Sequence, residues 1–398
     1  MSTQFVVETS NETEFPPCTS FDDMGLPENL LRGVYAHGFE KPSAIQSVAI
    51  VPLVKGRDVL GQAQSGTGKT GTFGIGLLSR IDPNHKATQA LVMAHTHELA
   101  EQIATVVRAL SQHMKINVVL AVGGIPRHSN AREIRSGAHV VIGTPGRVYD
   151  LAQSGDLKFG DLRMFVLDEA DEMLRDRFAD QINDIVAIGL PPICRVAFFS
   201  ATMPTEVKEL AEKILNNPIR VTLKTAEVKL DGIRQYYVTL DDESWKMDCF
   251  SDIFESLTIS SSIVFTNTKE RAERLYTALT DRGFPVSVIY GEPMTQAVRQ
   301  QRMRDFRTGA TRVLIATNLL ARGIDVQSVS VVFNFDMPPF EDKENYIHRI
   351  GRCGRYGRKG TAISLLTPAE KDVMDQIATH YSFVPQLLPQ DLKGVVDA

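Results

Sequence analysis

The sequence predicts an α/β protein of two domains, each a mostly parallel sheet flanked by helices, joined by a short linker. Three observations carry that prediction. Short continuous runs of Val, Ile and Leu alternate with helix-length segments, and such runs read as strands buried on both faces. The alternation halts around 215–230, where LNNPIRVTLKTAEVKL holds Pro218 and a charged, weakly apolar stretch, and then begins again. The 398 residues also exceed one ordinary core, since a domain takes about 150 residues.

The elements follow in order. Residues 1–20 are polar, and a flexible N-terminal segment is expected there. Strand-like runs then come at Val59-Leu60-Gly61, Ala90–Ala94, Val118–Val122, Val140–Ile142, Met164–Leu167 and Val196–Phe199. A second series comprises Ile263–Thr266, Val286–Ile289, Val313–Ala316, Val331–Phe335 and Thr361–Leu366. This βαβ rhythm is that of doubly wound sheets. It places one domain at 21–222, a linker at 223–232 and a second domain at 233–398, with no fixed-period repeat and no low-complexity tract.

Composition narrows the function classes. Hydrophobic residues make up 43% and charged residues 23%, which excludes a disordered tail, a collagen and a coiled coil. With 43 Lys+Arg against 48 Asp+Glu the net charge is −5, and each half carries a slight acidic excess. That balance argues against holding nucleic acid by bulk positive charge. Cys18, Cys194, Cys249 and Cys353 are scattered and imply neither a zinc site nor a disulfide framework. The amino-terminal stretch MSTQFVVETSNETEF has no basic start or long apolar run, so no signal peptide is expected. No apolar run reaches the ~18 residues of a membrane span. A cytoplasmic protein is expected, with the nucleus as the alternative.

The first chemical motif is AQSGTGKT, Ala63–Thr70, between a strand-like and a helix-compatible segment. It meets G-x-x-x-x-G-K-[ST] except that Ala63 stands first. Ser65, Gly66, Thr67 and Gly68 suit a turn whose backbone N–H groups face phosphate oxygens, beside a helix N-terminus. Lys69 can reach the β- and γ-phosphates, and the Thr70 hydroxyl can ligate Mg²⁺. The alternative is a Gly-rich turn without a ligand. A second motif favours the phosphate reading: the run Met164–Leu167 ends in Asp168-Glu169-Ala170-Asp171. Carboxylates just beyond a buried strand lie where open α/β sheets bind ligands. Asp168 suits Mg²⁺, and Glu169 suits activating the attacking water.

Taken together, these residues resemble the DEAD-box RNA helicases, and the resemblance covers nearly the whole chain. Phe39-Glu40-Lys41-Pro42-Ser43-Ala44-Ile45-Gln46 is similar to the family's adenine-recognising motif, with Phe21 as its upstream aromatic. The resemblance implies that Gln46 reads the adenine edge, which an amide can do as donor and acceptor, and that Phe39 packs on the base. Read alone, Pro42-Ser43 could simply begin a helix. Ser200-Ala201-Thr202 resembles the motif coupling hydrolysis to RNA binding. Thr96, His97, Gly124, Thr144 and Arg147 fall at RNA-contacting positions of the first domain, and Thr266, Gln296, Arg299 and Thr317 at those of the second. Gly323 and Asp325, within Ala321-Arg322-Gly323-Ile324-Asp325, match nucleotide-contacting positions, and HRIGRCGRYGR (His348–Arg358) implies Arg352 and Arg355 as arginine fingers. His348 and Arg349 would couple the domains to the acidic motif and the Ser-Ala-Thr turn. The fold implied is two RecA-like domains, with the cofactors ATP and Mg²⁺.

Three departures stand out. The family's usual P-T-R-E-L-A reads His95-Thr96-His97-Glu98-Leu99-Ala100. An Arg that would face RNA phosphate is therefore a His, and the stiffness of Pro is lost. Tyr290-Gly291-Glu292 replaces a commoner His-Gly-Asp, and Cys353 lies between the expected fingers, where a structural spacer is the simpler role than a redox switch.

The reading that follows is an ATP-dependent RNA helicase. It binds single-stranded RNA independently of sequence, acts as a monomer away from membranes and meets a translation-initiation scaffold protein. Stretches such as LRGVYAHGFEKPSAIQ and GIRQYYV point to the initiation-factor branch. An ATP-gated RNA clamp or remodeller of exon-junction or mRNA-export complexes is the alternative. A non-RNA P-loop NTPase is disfavoured by the absence of an N-K-x-D motif, and a catalytically dead module by the presence of Lys69, Asp168, Glu169 and both arginines.

Overall fold

Every apolar run named above is a strand, to within a residue or two at its ends. The computed structural model describes residues 5–8, 15–63, 66–175, 178–223, 233–257, 259–291, 293–317, 329–353, 360–392 and 394–396. The chain divides into two units, Met1–Lys224 and Thr225–Ala398. In the first, the strands are β1 (Phe5–Glu8), β2 (Val59–Gln62), β3 (Ala90–Met93), β4 (Val118–Ala121), β5 (Val140–Gly143), β6 (Met164–Asp168), β7 (Arg195–Ser200) and β8 (Ile219–Leu223). They form one sheet in the order β1-β8-β2-β7-β6-β3-β5-β4, and every pairing is parallel except β1 with β8.

The second unit holds β9 (Ile233–Thr239), β10 (Ser262–Thr266), β11 (Val286–Ile289), β12 (Val313–Thr317), β13 (Val331–Asn334), β14 (Gly360–Leu366) and β15 (Gln386–Leu387). Their order is β11-β12-β10-β13-β14-β9-β15, parallel throughout. Consecutive residues of each central strand enter different cores. On β6, Met164 and Val166 face one apolar layer while Phe165 and Leu167 face the other. On β10, Val264 faces one layer and Ile263 and Phe265 the opposite one. Burial on both faces is why these strands read as continuous apolar runs. Each buried large aliphatic or aromatic side chain contributes about 1.5–3 kcal/mol.

The structure departs from expectation at the sheet edges. Residues 1–20, expected to be loose, contain β1, which pairs antiparallel with β8 from Phe5↔Leu223 to Glu8↔Arg220. Its Phe-Val-Val core is a strand-forming run too short to register beside the polar residues around it. The pause at 215–230 contains β8 itself, whose Ile219 and Val221 are buried while Arg220 interrupts them. β9 and β15 were also missed. β9 has the mixed sequence IRQYYVT and is half-buried along most of its length, so it lacks a continuous apolar signature. Among the described residues, no helix is long and apolar enough to cross a membrane.

Candidate active site

Strand order sets the site in the first unit. β2, β7, β6 and β3 are neighbours, with Gln62 opposite Ser200, Phe199 opposite Asp168, and Leu167 opposite Met93. The segments leaving their carboxyl ends therefore emerge side by side: Ala63–Thr70, Ser200–Thr202, Asp168–Asp171 and Ala94–Thr96. This is the edge at which open α/β sheets hold ligands.

The turn after β2 needs its glycines. Gly66 and Gly68 take φ of 84° and 101°, a left-handed region costly for other residues. Gly68 immediately precedes the helix Lys69–Leu78. Lys69 is buried, and its Nζ has no hydrogen-bond partner among the described residues. Such a desolvated cation needs a counter-anion. Thr70 is half-buried on the same turn. Ser65 lies outside the described residues.

The upstream motif begins a helix and also contacts the turn after β2. Ser43 caps the helix Ala44–Val54 in a capping box with Gln46. The same two side chains reach the phosphate loop: Ser43 Oγ donates to Thr67 O at 2.7 Å, and Gln46 Nε2 donates to Gly68 O at 3.3 Å. The Ser43 N–H donates to Gln46 Oε1 at 2.8 Å. A Cβ added at Gly71 would come within 2.6 Å of Gln46 Nε2 and 2.9 Å of Phe39 Cε2. Phe39 in turn stacks on Phe21, with ring centroids 6.3 Å apart.

Asp168 closes β6 and is buried. Burial pushes its carboxyl up to about 7; Lys69 pulls it down and Glu169 pushes it further up. One oxygen accepts the Glu169 N–H at 3.1 Å. Glu169 is buried and adopts φ of 53°, a strained conformation worth about 1–3 kcal/mol of the kind found at functional sites. Its Oε2 lies 3.2 Å from Nδ1 of the buried His95. Asp171, to which the sequence assigned no partner, ties the Ser-Ala-Thr turn to the acidic segment. Its carboxylate accepts the Thr202 N–H at 3.0 Å and the Thr202 O–H at 2.7 Å, while its own N–H donates to Ser200 Oγ at 3.2 Å. The Gln62 amide donates to Ala201 O at 3.4 Å. The signal for Asp171 was the pairing of its short acidic motif with a hydroxyl-rich turn on the adjacent strand.

The other expected positions of the first unit lie on loops at strand ends. Thr96 is the N-cap of the helix His97–Leu110 and accepts the Leu99 N–H at 3.2 Å. His97 is the first residue of that helix and half-buried. Gly124 is exposed with φ of 81°. Thr144 precedes the helix Pro145–Gln153. Arg147 turns back rather than outward, donating to Ile125 O and Asn130 Oδ1, both at 2.6 Å. It braces the turn that carries Gly124.

The expected positions of the second unit lie on strand ends and helices. Thr266 and Thr317, expected to face RNA, are buried at the ends of β10 and β12, opposite one another in register. The Thr266 hydroxyl donates to Thr268 O at 3.3 Å. Both strands are covered on each face, so either side-chain direction is buried. Arg349, expected to couple the domains, is fully buried in the helix Lys343–Ile350. It donates to Asn267 Oδ1 at 2.8 Å and to Asp336 O. Asn267 binds Asp336 through its N–H, and Arg271 binds the same carboxylate through Nε and Nη2. Arg349 therefore serves as a brace for the β10 and β13 ends. His348 and Arg352 are buried, with Arg352 Nε donating to His348 O at 3.1 Å. Arg299 is half-buried on the helix Gln296–Arg307. Cys353 is buried and donates to Ile350 O at 3.0 Å, and burial pushes its thiol up to about 12, which suits a spacer. Gly323, Asp325 and Arg355 lie outside the described residues, as does the side chain of Gln296.

Known proteins match this arrangement. Residues 43–210 match the DEAD/DEAH box helicase family, and residues 245–357 match the helicase conserved C-terminal domain. The chain is 48% identical over 377 residues to an ATP-dependent RNA helicase eIF4A of Eremothecium gossypii, covering 95% of this chain and 94% of that one. It is 49% identical over 379 residues to the eukaryotic initiation factor 4A of Zea mays, covering 95% and 92%. Among solved structures, S. cerevisiae Dbp5 bound to RNA and ADP BeF3 matches with a TM-score of 0.86 and 37% identity, over 94% of this chain and 97% of that one.

The raised Asp168 carboxyl has a measurable consequence. Its folded value lies above the ordinary unfolded value, so the folded state binds the extra proton between them. Stability is then lost as pH rises from about 4 to about 7. Without nucleotide or divalent cation, Asp168→Asn should melt on the order of 5 °C above the parent at pH 8, with the gain vanishing towards pH 4. Equal melting temperatures at pH 8 would contradict the buried-charge account.

Proposed function

The chain belongs to the DEAD/DEAH box helicase family, and on that premise we propose how its own residues carry out the work. It is an ATP-dependent RNA helicase, hydrolysing ATP when RNA is bound. The reading rests above all on one observation: the phosphate-type turn, the acidic segment and the Ser-Ala-Thr turn leave adjacent strands, with Asp171 holding Thr202 and Ser200.

The triphosphate lies along Gly66–Thr70, where the buried Lys69 ammonium gains a hydrogen-bonding anion. Gln46 and Phe39 take the adenine. Thr70 and Asp168 offer hydroxyl and carboxylate oxygens, a hard donor set that fits Mg²⁺. A buried Asp168 favours a cation, since its charge is otherwise poorly stabilised. Held there, Mg²⁺ would offset the negative charge of the phosphates. Glu169 orients a water whose oxygen bonds to the γ-phosphorus. The bond from that phosphorus to the β–γ bridging oxygen breaks, ADP leaves with the electron pair, and the water's proton passes to the Glu169 carboxylate. Arg352 and Arg355 supply positive charge to the transferring group. These arginines and the phosphate turn belong to different units, so turnover requires both.

RNA contacts run mainly to phosphate and ribose, because loops rather than a recognition helix carry them. Thr96, His97, Gly124 and Thr144 supply the first unit's share. The RNA is taken single-stranded and without sequence preference. The cellular role we propose is translation initiation in the cytoplasm, as a monomer with a scaffold protein. The initiation-factor names of relatives matched over nearly their whole length support it.

Glu169→Gln should abolish RNA-stimulated ATP hydrolysis while retaining ATP-dependent RNA binding, measured by phosphate release and by fluorescence anisotropy; full turnover would remove Glu169 from its role. His97→Arg should tighten single-stranded RNA binding by roughly tenfold at pH 8 and steepen its salt dependence by about one phosphate contact. Affinity unchanged at both pH 6 and pH 8 would place His97 away from the RNA.

A further inference from the structure

The buried carboxylate of Glu169 faces an imidazole that the family's usual Pro cannot supply. β3 and β6 run parallel with Met93 opposite Leu167, so Ala94-His95 leaves the sheet beside Asp168-Glu169. The His95 backbone is fixed on both sides. The Ala94 N–H donates to Gly143 O at 2.9 Å, and Thr96 caps the following helix. Both side chains are almost fully out of water, at 5% and 3% exposure. Nδ1 and Oε2 stand at 3.2 Å, at an angle short of a well-aligned hydrogen bond. Among the described residues, no other group donates a hydrogen bond to Oε2. An Nδ1–H faces the carboxylate favourably, whereas a bare Nδ1 lone pair would repel it.

We propose that His95 is a positioning residue for Glu169: its Nδ1–H holds Oε2 and leaves Oε1 to the attacking water. The inference rests on the role of Glu169 stated above. The need for it is local. Glu169 stands on a strained left-handed backbone, and its side chain has three rotatable bonds. A carboxylate that strays by even 1 Å from its water forfeits much of its rate, of the order of 100-fold. A ring anchored on the neighbouring strand removes that freedom.

The test compares His95→Ala, His95→Asn and Glu169→Gln, alone and combined, in the full chain with RNA present. Asn places its amide Nδ2 near the position of the imidazole Nδ1. His95→Ala should lower kcat for ATP hydrolysis by roughly tenfold, with KM for ATP and ATP-dependent RNA affinity within about twofold of the parent. His95→Asn should recover most of that loss. In the Glu169→Gln background, His95→Ala should lower the residual rate no further. A parental kcat in His95→Ala, an equal loss in His95→Asn, or an undiminished further loss in the Glu169→Gln background overturns the proposal. Should Glu169→Gln itself turn over fully, the role of Glu169 falls and this inference with it. A dead Glu169→Gln beside an unaffected His95→Ala overturns the His95 inference alone.

Discussion

The first unit is organised around ionic groups kept out of water at one end of its sheet. Lys69, Asp168, Glu169 and Asp171 are all buried there, and each buried ion costs several kcal/mol unless compensated. The compensation is arranged by the strands beneath. Asp168 accepts a backbone N–H, the Asp171 carboxylate accepts two hydrogen bonds from Thr202 while its own N–H donates to Ser200 Oγ, and Glu169 faces His95. Lys69 Nζ and Glu169 Oε2 are left without a hydrogen-bond partner among the described residues. The strands beneath therefore hold one cation and three carboxyl groups together at a single sheet end.

The central architecture was legible because parallel strands covered on both faces leave an uninterrupted apolar trace. The turn at Gly66–Thr70 and the acidic segment were legible for a different reason: few residue types can do their chemistry. Edge strands escaped. β1 is four residues among polar neighbours, β8 is broken by Arg220, and β9 mixes Arg, Gln and Tyr with its apolar residues. The contact of His95 with Glu169 escaped too, since it joins positions on separate strands and the sequence displays only a missing Pro. Thr266 and Thr317 illustrate a further gap. Resemblance points to a contact for them, and it carries no sign that both sit buried at the ends of doubly covered strands.

The second unit repeats the strategy with fully paired ions. Asp336 receives Arg271 and the Asn267 N–H, Lys246 bonds to Glu370 at 2.7 Å and to Phe335 O at 2.7 Å, and Arg349 completes the lattice. Such a network holds the ends of β10 and β13 in one arrangement. It also refines the meaning of the acidic net charge. Several arginines that might have formed a basic face, Arg147 and Arg349 among them, donate instead to backbone carbonyls and side-chain amides. Part of the positive charge is thus spent on holding loops and strand ends in place.

The close packing of Gln46 and Phe39 on Gly68 and Gly71 limits how either segment can change. The groups assigned to the base and those assigned to the phosphates share atoms' worth of space, with no slack between them. A side chain added at Gly68 must displace Ser43 or Gln46, and one added at Gly71 must displace Gln46 or Phe39. The upstream segment and the turn after β2 therefore tolerate change only together, because neither can enlarge without the other giving way.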